Sequence, residues 1–230
     1  MLVHKRTKIF NGLWVDHLDL ADTALLKPGS QIVSLNIEQL VLAEQDPELL
    51  AIFQDAEYLI PDGIGVVLTL KYLFGAKDSK KLAGIDLASK LITEKKRIAF
   101  LGSTVERIEK LKNIYSEKLV FANDGYFSLD QKDDLLQKLI SQNPDLLLVA
   151  MGSPRQEKII YELKTKLPNT IMMGVGGALD LWSGSLKRAP KIMIDLNLEW
   201  LFRIIQEPYR LKRFIYSVRG YILLLIKNLF

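Results

Sequence analysis

Seven polar residues fall where parallel-sheet proteins do their chemistry. Ser34, Asn36, Asp62, Ser103, Tyr126, Gln156 and Asp180 lie at or just beyond the ends of predicted strands. Ligands of such sheets bind beyond the carboxyl ends, where helix N-termini attract phosphate. The most informative stretch runs from Leu146 to Glu157. Leu146 to Ala150 is a continuous apolar run, the pattern of a strand buried on both faces. Gly152 then allows a tight turn, Ser153 can serve as an N-cap and Pro154 suits the first helical position. Gln156, three residues after the serine, completes a capping box. Taken alone, these residues read as a well-made cap. Asp62, between Pro61 and Gly63, also suits an N-cap, and the residues alone favour that reading.

Bulk properties narrow the class. At 230 residues with 49% apolar composition, one large domain with a sizeable core is expected. The net charge of +4 is mildly basic. With no Cys, disulfides, Cys-ligated zinc and thiol catalysis are excluded. The two histidines, His4 and His17, make no metal-ligand spacing and read as surface residues. No signal peptide is read at the N-terminus, and no segment is long enough to span a membrane. Neither a GxGxxG fingerprint nor a Walker A sequence is present, which weakens a dinucleotide or ATP reading.

The elements that must position the polar residues follow from periodicity. Strands are predicted at 31–36, 57–60, 97–103, 119–122, 146–150 and 170–177, with a short edge strand or arm over 8–14. Helices are predicted between them, over 47–56, 64–74, 84–92, 104–117 and 130–141 and after Asn36 and Ser153. Asn36 and Gln39 have capping-box spacing, and the apolar helix over 64–74 is expected to be buried. Alternating strands and helices imply an α/β fold, a Rossmann-like parallel sheet with helices on both faces.

The last thirty residues differ in character. Leu198 to Ile205 reads as a helix that Pro208 ends. Beyond it Leu211, Phe214, Ile215, Val218, Ile222 and Leu225 recur at helical spacing, accompanied by Arg210, Lys212, Arg213, Arg219 and Lys227. Two readings stand: a terminal helix docked on the domain, or a basic amphipathic helix on an anionic membrane surface. The chain thus divides into an α/β domain over 1–197 and a helical C-terminal appendage over 198–230.

Eight stretches, in order, resemble the WecG/TagA/CpsF glycosyltransferase family. They are Asn36-Ile37-Glu38-Gln39-Leu40, Pro61-Asp62-Gly63-Ile64-Gly65, Gly84-Ile85-Asp86-Leu87, Asp124-Gly125-Tyr126-Phe127, Met151 to Glu157, Gly174 to Asp180, Arg188-Ala189-Pro190, and Leu198 to Arg203 running into Glu207-Pro208. Each is weak alone, but the ordered set is specific and covers the chain from about Ser30 onward. The resemblance implies a bacterial enzyme of envelope polysaccharide or teichoic acid assembly. Such an enzyme moves an N-acetylmannosamine-type sugar from a UDP-sugar donor to a polyprenyl-diphosphate-linked sugar acceptor, with inversion and no required metal or other cofactor. It implies a cytoplasmic protein, peripheral on the inner face of the cell membrane, that binds no nucleic acid. Whether it forms a homo-oligomer is left open.

The resemblance also implies roles. Asp62 matches the family's proposed base. Ser34 and Asn36 match a Thr-x-Asn substrate pocket, with serine keeping the hydroxyl. Tyr126 and Asp180 match residues around the uridine, and Gln156 matches an active-site glutamine. Arg203, Arg210 and Arg213 match arginines of an appendage that closes over the site, where bidentate contact suits a diphosphate. The chain departs from the family at Lys81, where an arginine is usual. Charge is kept and the fork is lost, so Lys81 is carried over as a phosphate contact, with Lys80 as its substitute. No Asp-x-Asp sequence is present, so no metal is indicated, and cations and helix N-termini must serve the leaving group. One alternative is a noncatalytic nucleotide-binding α/β protein whose basic tail binds membrane or nucleic acid. Another is an epimerase, against which the missing dinucleotide fingerprint argues.

Overall fold

A computed structural model describes residues 5–229. His4 lies outside these residues. The described chain opens with an antiparallel hairpin, β1 (Arg6–Lys8) and β2 (Trp14–Asp16). The single strand expected over 8–14 is instead the hairpin's connection, with a 3₁₀ turn at Phe10–Gly12. Asn11 takes a φ of 55° there, a conformation asparagine tolerates better than most residues. Buried Asp16 pairs with Arg6 at 2.9 Å and accepts the Leu59 amide at 2.8 Å, which pins the hairpin to the main sheet. His17 is half-buried rather than a free surface group. Its ring nitrogens bond the hydroxyls of Thr7 and Ser79, at 2.7 and 3.1 Å.

The main sheet contains β3 (Gln31–Leu35), β4 (Tyr58–Pro61), β5 (Ile98–Gly102), β6 (Leu119–Asn123), β7 (Leu146–Ala150) and β8 (Ile171–Gly174). All its pairings are parallel, in the order β4-β3-β8-β7-β5-β6. The helices before the appendage are α1 (Ile37–Gln45), α2 (Pro47–Asp55), α3 (Ile64–Tyr72), α4 (Gly84–Glu94), α5 (Val105–Ile114), α6 (Leu129–Gln142), α7 (Arg155–Lys164), α8 (Ala178–Trp182) and α9 (Lys191–Asp195). This is the Rossmann-like α/β architecture, with helices on both faces.

The apolar runs explain how both faces are covered. Along β5, Ile98 and Phe100 pack with Leu87 and Leu91 of α4 and with Ile108 and Leu111 of α5. The intervening Ala99 and Leu101 join Leu139 of α6 and Ile160 and Leu163 of α7 on the other face. Leu146 and Leu148 alternate with Leu147 and Val149 in the same way. Each buried Leu, Ile, Val or Phe among them contributes about 1.5–3 kcal/mol by leaving water. Val33, Leu35 and Leu59 form a third cluster with α1, α2, α3 and the hairpin. The helix α3 is less buried than its composition suggests. Leu68 and Tyr72 face solvent, while Val66 and Leu70 reach the core.

The appendage consists of α10 (Glu199–Gln206) and α11 (Arg210–Leu229), separated at Pro208 as expected. The ring of Trp200 stacks on Phe214 at 4.4 Å, tying the two together. One face of α11 docks on the domain. Leu224 enters the cluster around Leu40 and Ala43, and the Tyr221 hydroxyl bonds Thr69 and the Gly65 carbonyl of α3. Leu225 packs against the same cluster. The single apolar stripe read from spacing is therefore divided. Leu211, Ile215 and Ile222 remain exposed, in line with the exposed Ile226 beyond the stripe, whereas Phe214 and Leu225 pack against neighbours. No helix of the described residues is long and apolar enough to cross a membrane.

Candidate active site

The carboxyl ends of the strands open into two adjoining clefts, of about 390 Å³ and about 500 Å³. Both are lined by Asn36, Glu38, Asp62, Ile85, Val175, Arg203, Arg210 and Arg213. Ser34, Ser103, Tyr126, Gln156 and Asp180 line the first cleft only. The second is walled by Ile64, Ala178, Leu181, Trp200, Ile204 and Phe214, with Lys81 at its edge. The residues proposed for the site therefore line one cleft or both, except Lys80, the substitute offered for Lys81, which lines neither.

Asp62 stands at the junction, one residue past β4. It caps no helix, since Gly63 occupies the N-cap position of α3. Its Oδ2 instead accepts the Gly84 amide at 3.1 Å, at the start of α4. Burial raises its pKa to about 6, and the negative charges of Glu199 and Asp86 push the same way. The Gly84 hydrogen bond and the charge of Lys81 oppose the rise without cancelling it. Beside it, Ser34 Oγ is buried and has no protein partner.

Asn36 caps α1. Its Oδ1 accepts the amides of Glu38 and Gln39, and Gln39 returns the capping box that the spacing predicted. The cap thus uses the oxygen of Asn36 and leaves its amide nitrogen to the clefts. The turn after β7 differs from expectation. The Ser153–Pro154 peptide is cis, Pro154 takes the N-cap position, and no side chain caps α7. Gln156 is buried and reaches across to the turn after β8, where its Oε1 accepts the Gly176 amide at 3.1 Å. Tyr126 stands at the rim, 75% exposed.

Asp180 is held by Ser103 Oγ at 2.8 Å and Arg107 Nη1 at 2.9 Å, both on its Oδ1. Arg107 was not read as a site residue from sequence. It stands in the charged run Glu106, Arg107, Glu109, Lys110 and Lys112, where nothing marks it off from a solvated helix face. Only the packing of α5 beside α8 brings it to Asp180.

The three arginines of the appendage converge on the clefts, and their states differ. Arg210 is paired with Glu207 at 2.6 Å and Arg213 with Glu38. Arg203 keeps two buried nitrogens, Nε and Nη2, without a protein partner. Burial, and then repulsion from Arg210, lower its pKa from the usual arginine value. Such a group is a ready anion site, because an incoming phosphate satisfies donors already out of water. Lys81 pairs with Glu199 of α10 at 3.6 Å, and Arg188 joins Glu199 to Asp86. This network ties the appendage to the start of α4.

A cleft with a carboxylate at its junction and a set of convergent arginines suits transfer of a group from an anionic carrier. Comparison with known families agrees. The model of the glycosyl transferase WecG/TagA/CpsF family matches residues 8–230, nearly the whole chain, and the protein belongs to that family.

Proposed function

We propose that this glycosyltransferase moves an N-acetylmannosamine-type sugar from a UDP donor to a polyprenyl-diphosphate-linked sugar, inverting the anomeric centre without a metal. The observation that carries this reading is the position of Asp62 at the junction of a polar and an apolar cleft. The acceptor hydroxyl attacks the anomeric carbon from the side opposite the diphosphate. Its proton passes to Asp62 as the new C–O bond forms and the bond to UDP breaks. A pKa of about 6 leaves Asp62 ionised at neutral pH, yet makes it a stronger base than an ordinary carboxylate. The charge that develops on UDP falls to Arg203, Arg210 and Arg213.

The polar cleft takes the donor. Ser34 and Asn36 contact the sugar, Gln156 contributes an amide, and Tyr126 and Asp180 hold the nucleoside. The apolar cleft suits the acceptor and the start of its lipid, with Lys81 near the acceptor diphosphate. The exposed row Leu211, Ile215, Ile222 and Ile226, with Lys212 and Arg219 beside it, suits the anionic inner face of the cell membrane. Envelope polysaccharide or teichoic acid assembly is the setting this chemistry fits.

The deciding experiment offers a panel of UDP-sugars with a polyprenyl-diphosphate-linked sugar, and follows UDP release and product anomeric configuration. Release from one UDP-sugar that requires the lipid-linked acceptor, with inversion, is expected. Tight UDP binding without turnover on any pair would instead leave a noncatalytic binding protein.

A further inference from the structure

Directly behind the polar cleft lies a buried carboxyl that the reaction does not use. Glu157, at the start of α7, is 2% exposed. Its Oε1 accepts two side-chain amides, Gln156 Nε2 at 2.8 Å and Gln39 Nε2 at 3.3 Å. Each glutamine turns its own oxygen to a backbone amide of the cleft wall. Gln156 Oε1 accepts Gly176 N, and Gln39 Oε1 accepts Asn36 N at 3.2 Å. A continuous chain thus runs from the β8 turn through Gln156, Glu157 and Gln39 to the cap of α1. Gly174 gives Gln156 its passage, since a Cβ there would lie 2.5 Å from Nε2.

A glutamine amide presents a donor on one side and an acceptor on the other, and the two ends are nearly equal in size. Packing alone therefore selects its orientation weakly. A carbonyl-type oxygen lodged between two such amides selects it strongly, because the flipped form sets oxygen against oxygen in a buried place.

We propose that Glu157 is a positioning residue that fixes the faces of Gln156 and Gln39. The relay keeps the β8 turn and the α1 cap in register, and it keeps an N–H of Gln156, not its carbonyl, toward the ligand. Gln156 Nε2 has two hydrogens, and Glu157 takes one. The other is left for the cleft that Gln156 lines. For an anionic ligand this difference is one of sign, since a flipped amide would present negative oxygen to negative oxygen. This last step rests on the reading of the polar cleft as the UDP-sugar site.

The test uses the full chain and two readouts. Amide hydrogen exchange needs no ligand. In Glu157→Leu, protection at Gly176 and Asn36 should fall about tenfold or more, while the Leu148 amide of β7 stays as in wild type. Glu157→Gln retains an oxygen at that place and should lose about threefold or less. UDP affinity, measured by calorimetry, should fall about tenfold in Glu157→Leu. In a Gln156→Ala background the same substitution should cost nothing further in UDP affinity, as expected for two residues in one chain. If Glu157→Leu does not fold, Glu157→Asp replaces it. Its carboxyl is withdrawn by one methylene and cannot reach both amides, so the same losses are expected. A folded variant with unchanged protection at Gly176 and Asn36 would overturn the relay, as would additive losses in the double mutant. Wild-type protein that binds no UDP would remove the proposed function, and the exchange arm would still decide the role of Glu157.

Discussion

Asp62 and Gly84 are bound to each other by a 3.1 Å hydrogen bond, and by the absence of a side chain on the glycine. A Cβ on Gly84 would lie 2.1 Å from Ser34 Oγ and 3.2 Å from Asp62 Oδ2. Gly84→Ala should therefore displace the free hydroxyl and the carboxylate together. Helix propensity favours alanine here, so the fold should survive. The expected result is a folded protein with transfer reduced roughly 10²-fold, as for misplacement of reacting groups by about an ångström. Circular dichroism and the transfer assay check the two halves of this statement.

Asp62→Asn should reduce transfer roughly 10²–10⁴-fold while UDP still binds. The raised pKa adds a second signature. Because the folded state holds the proton more tightly than the unfolded chain, ionised Asp62 costs stability above pH 6, and this cost vanishes below about pH 4. The Asn variant should therefore melt above wild type at pH 7.5, by roughly a few degrees, and lose that advantage on acidification through the same window. Wild-type turnover should fall along an acid limb near pH 6. Thermal melts and a pH–rate profile of both proteins test this pair of outcomes.

Among the three arginines, Arg203 should matter most for the leaving group. Its Nε and Nη2 are buried and unpaired, whereas Arg213 must first part from Glu38. Arg203→Ala should lower kcat/KM roughly 10²-fold or more, with a smaller loss for Arg213→Ala. Equal effects in steady-state kinetics would show that the unpaired state confers no advantage.

Chelation should leave turnover intact. The motivation is the convergence of Arg203, Arg210 and Arg213 on both clefts, beside the lack of an Asp-x-Asp sequence. Loss of activity in EDTA, restored by Mg²⁺ or Mn²⁺, is the result that would contradict the metal-free mechanism.

The two faces of α11 predict opposite outcomes for similar changes. Ile222→Glu, on the exposed row, should reduce sedimentation with anionic vesicles and leave the melting temperature unchanged. Leu225→Glu places a charge against the core cluster and should destabilise the fold, by about 2 kcal/mol or more. Vesicle binding that survives the first change would make α11 only a docked terminal helix.

Much of the fold was legible in the chain because a parallel sheet buries both faces of its strands. Runs such as Leu146 to Val149, short and followed by Gly152 and Pro154, read as such strands. The cap at Asn36 was legible because its partners lie within three residues. The site was legible as a set of strand ends, though only the resemblance separated Asp62 from an ordinary cap. What was lost depends on distance along the chain. Arg107 meets Asp180 across 73 residues, and Lys81 meets Glu199 only after the appendage folds back. The direction of Gln156 was missed because a capping-box spacing predicts a local bond, whereas its oxygen goes to Gly176 in the turn after the neighbouring strand. The hairpin did leave a local signal. Asn11-Gly12 between apolar residues marks a turn where one strand was read.

The close approach of Gly220 to Val41 settles which part of the appendage is fixed. A Cβ at Gly220 would lie 2.6 Å from Val41 Cγ1, so α11 is seated backbone-deep on α1. By contrast α10 has no fully buried residue and is held by charge pairs, one ring stack and the two hydrogen bonds of Gln206 with the Lys187 backbone. The two helices therefore differ in freedom, with α11 as mooring and α10 as the looser span above the clefts. Arg210 and Arg213 belong to the mooring, and Arg203 rides on the span. Entry and exit of a bulky ligand would then hinge at the Glu207-Pro208-Tyr209 turn, and the helix beyond would keep its place.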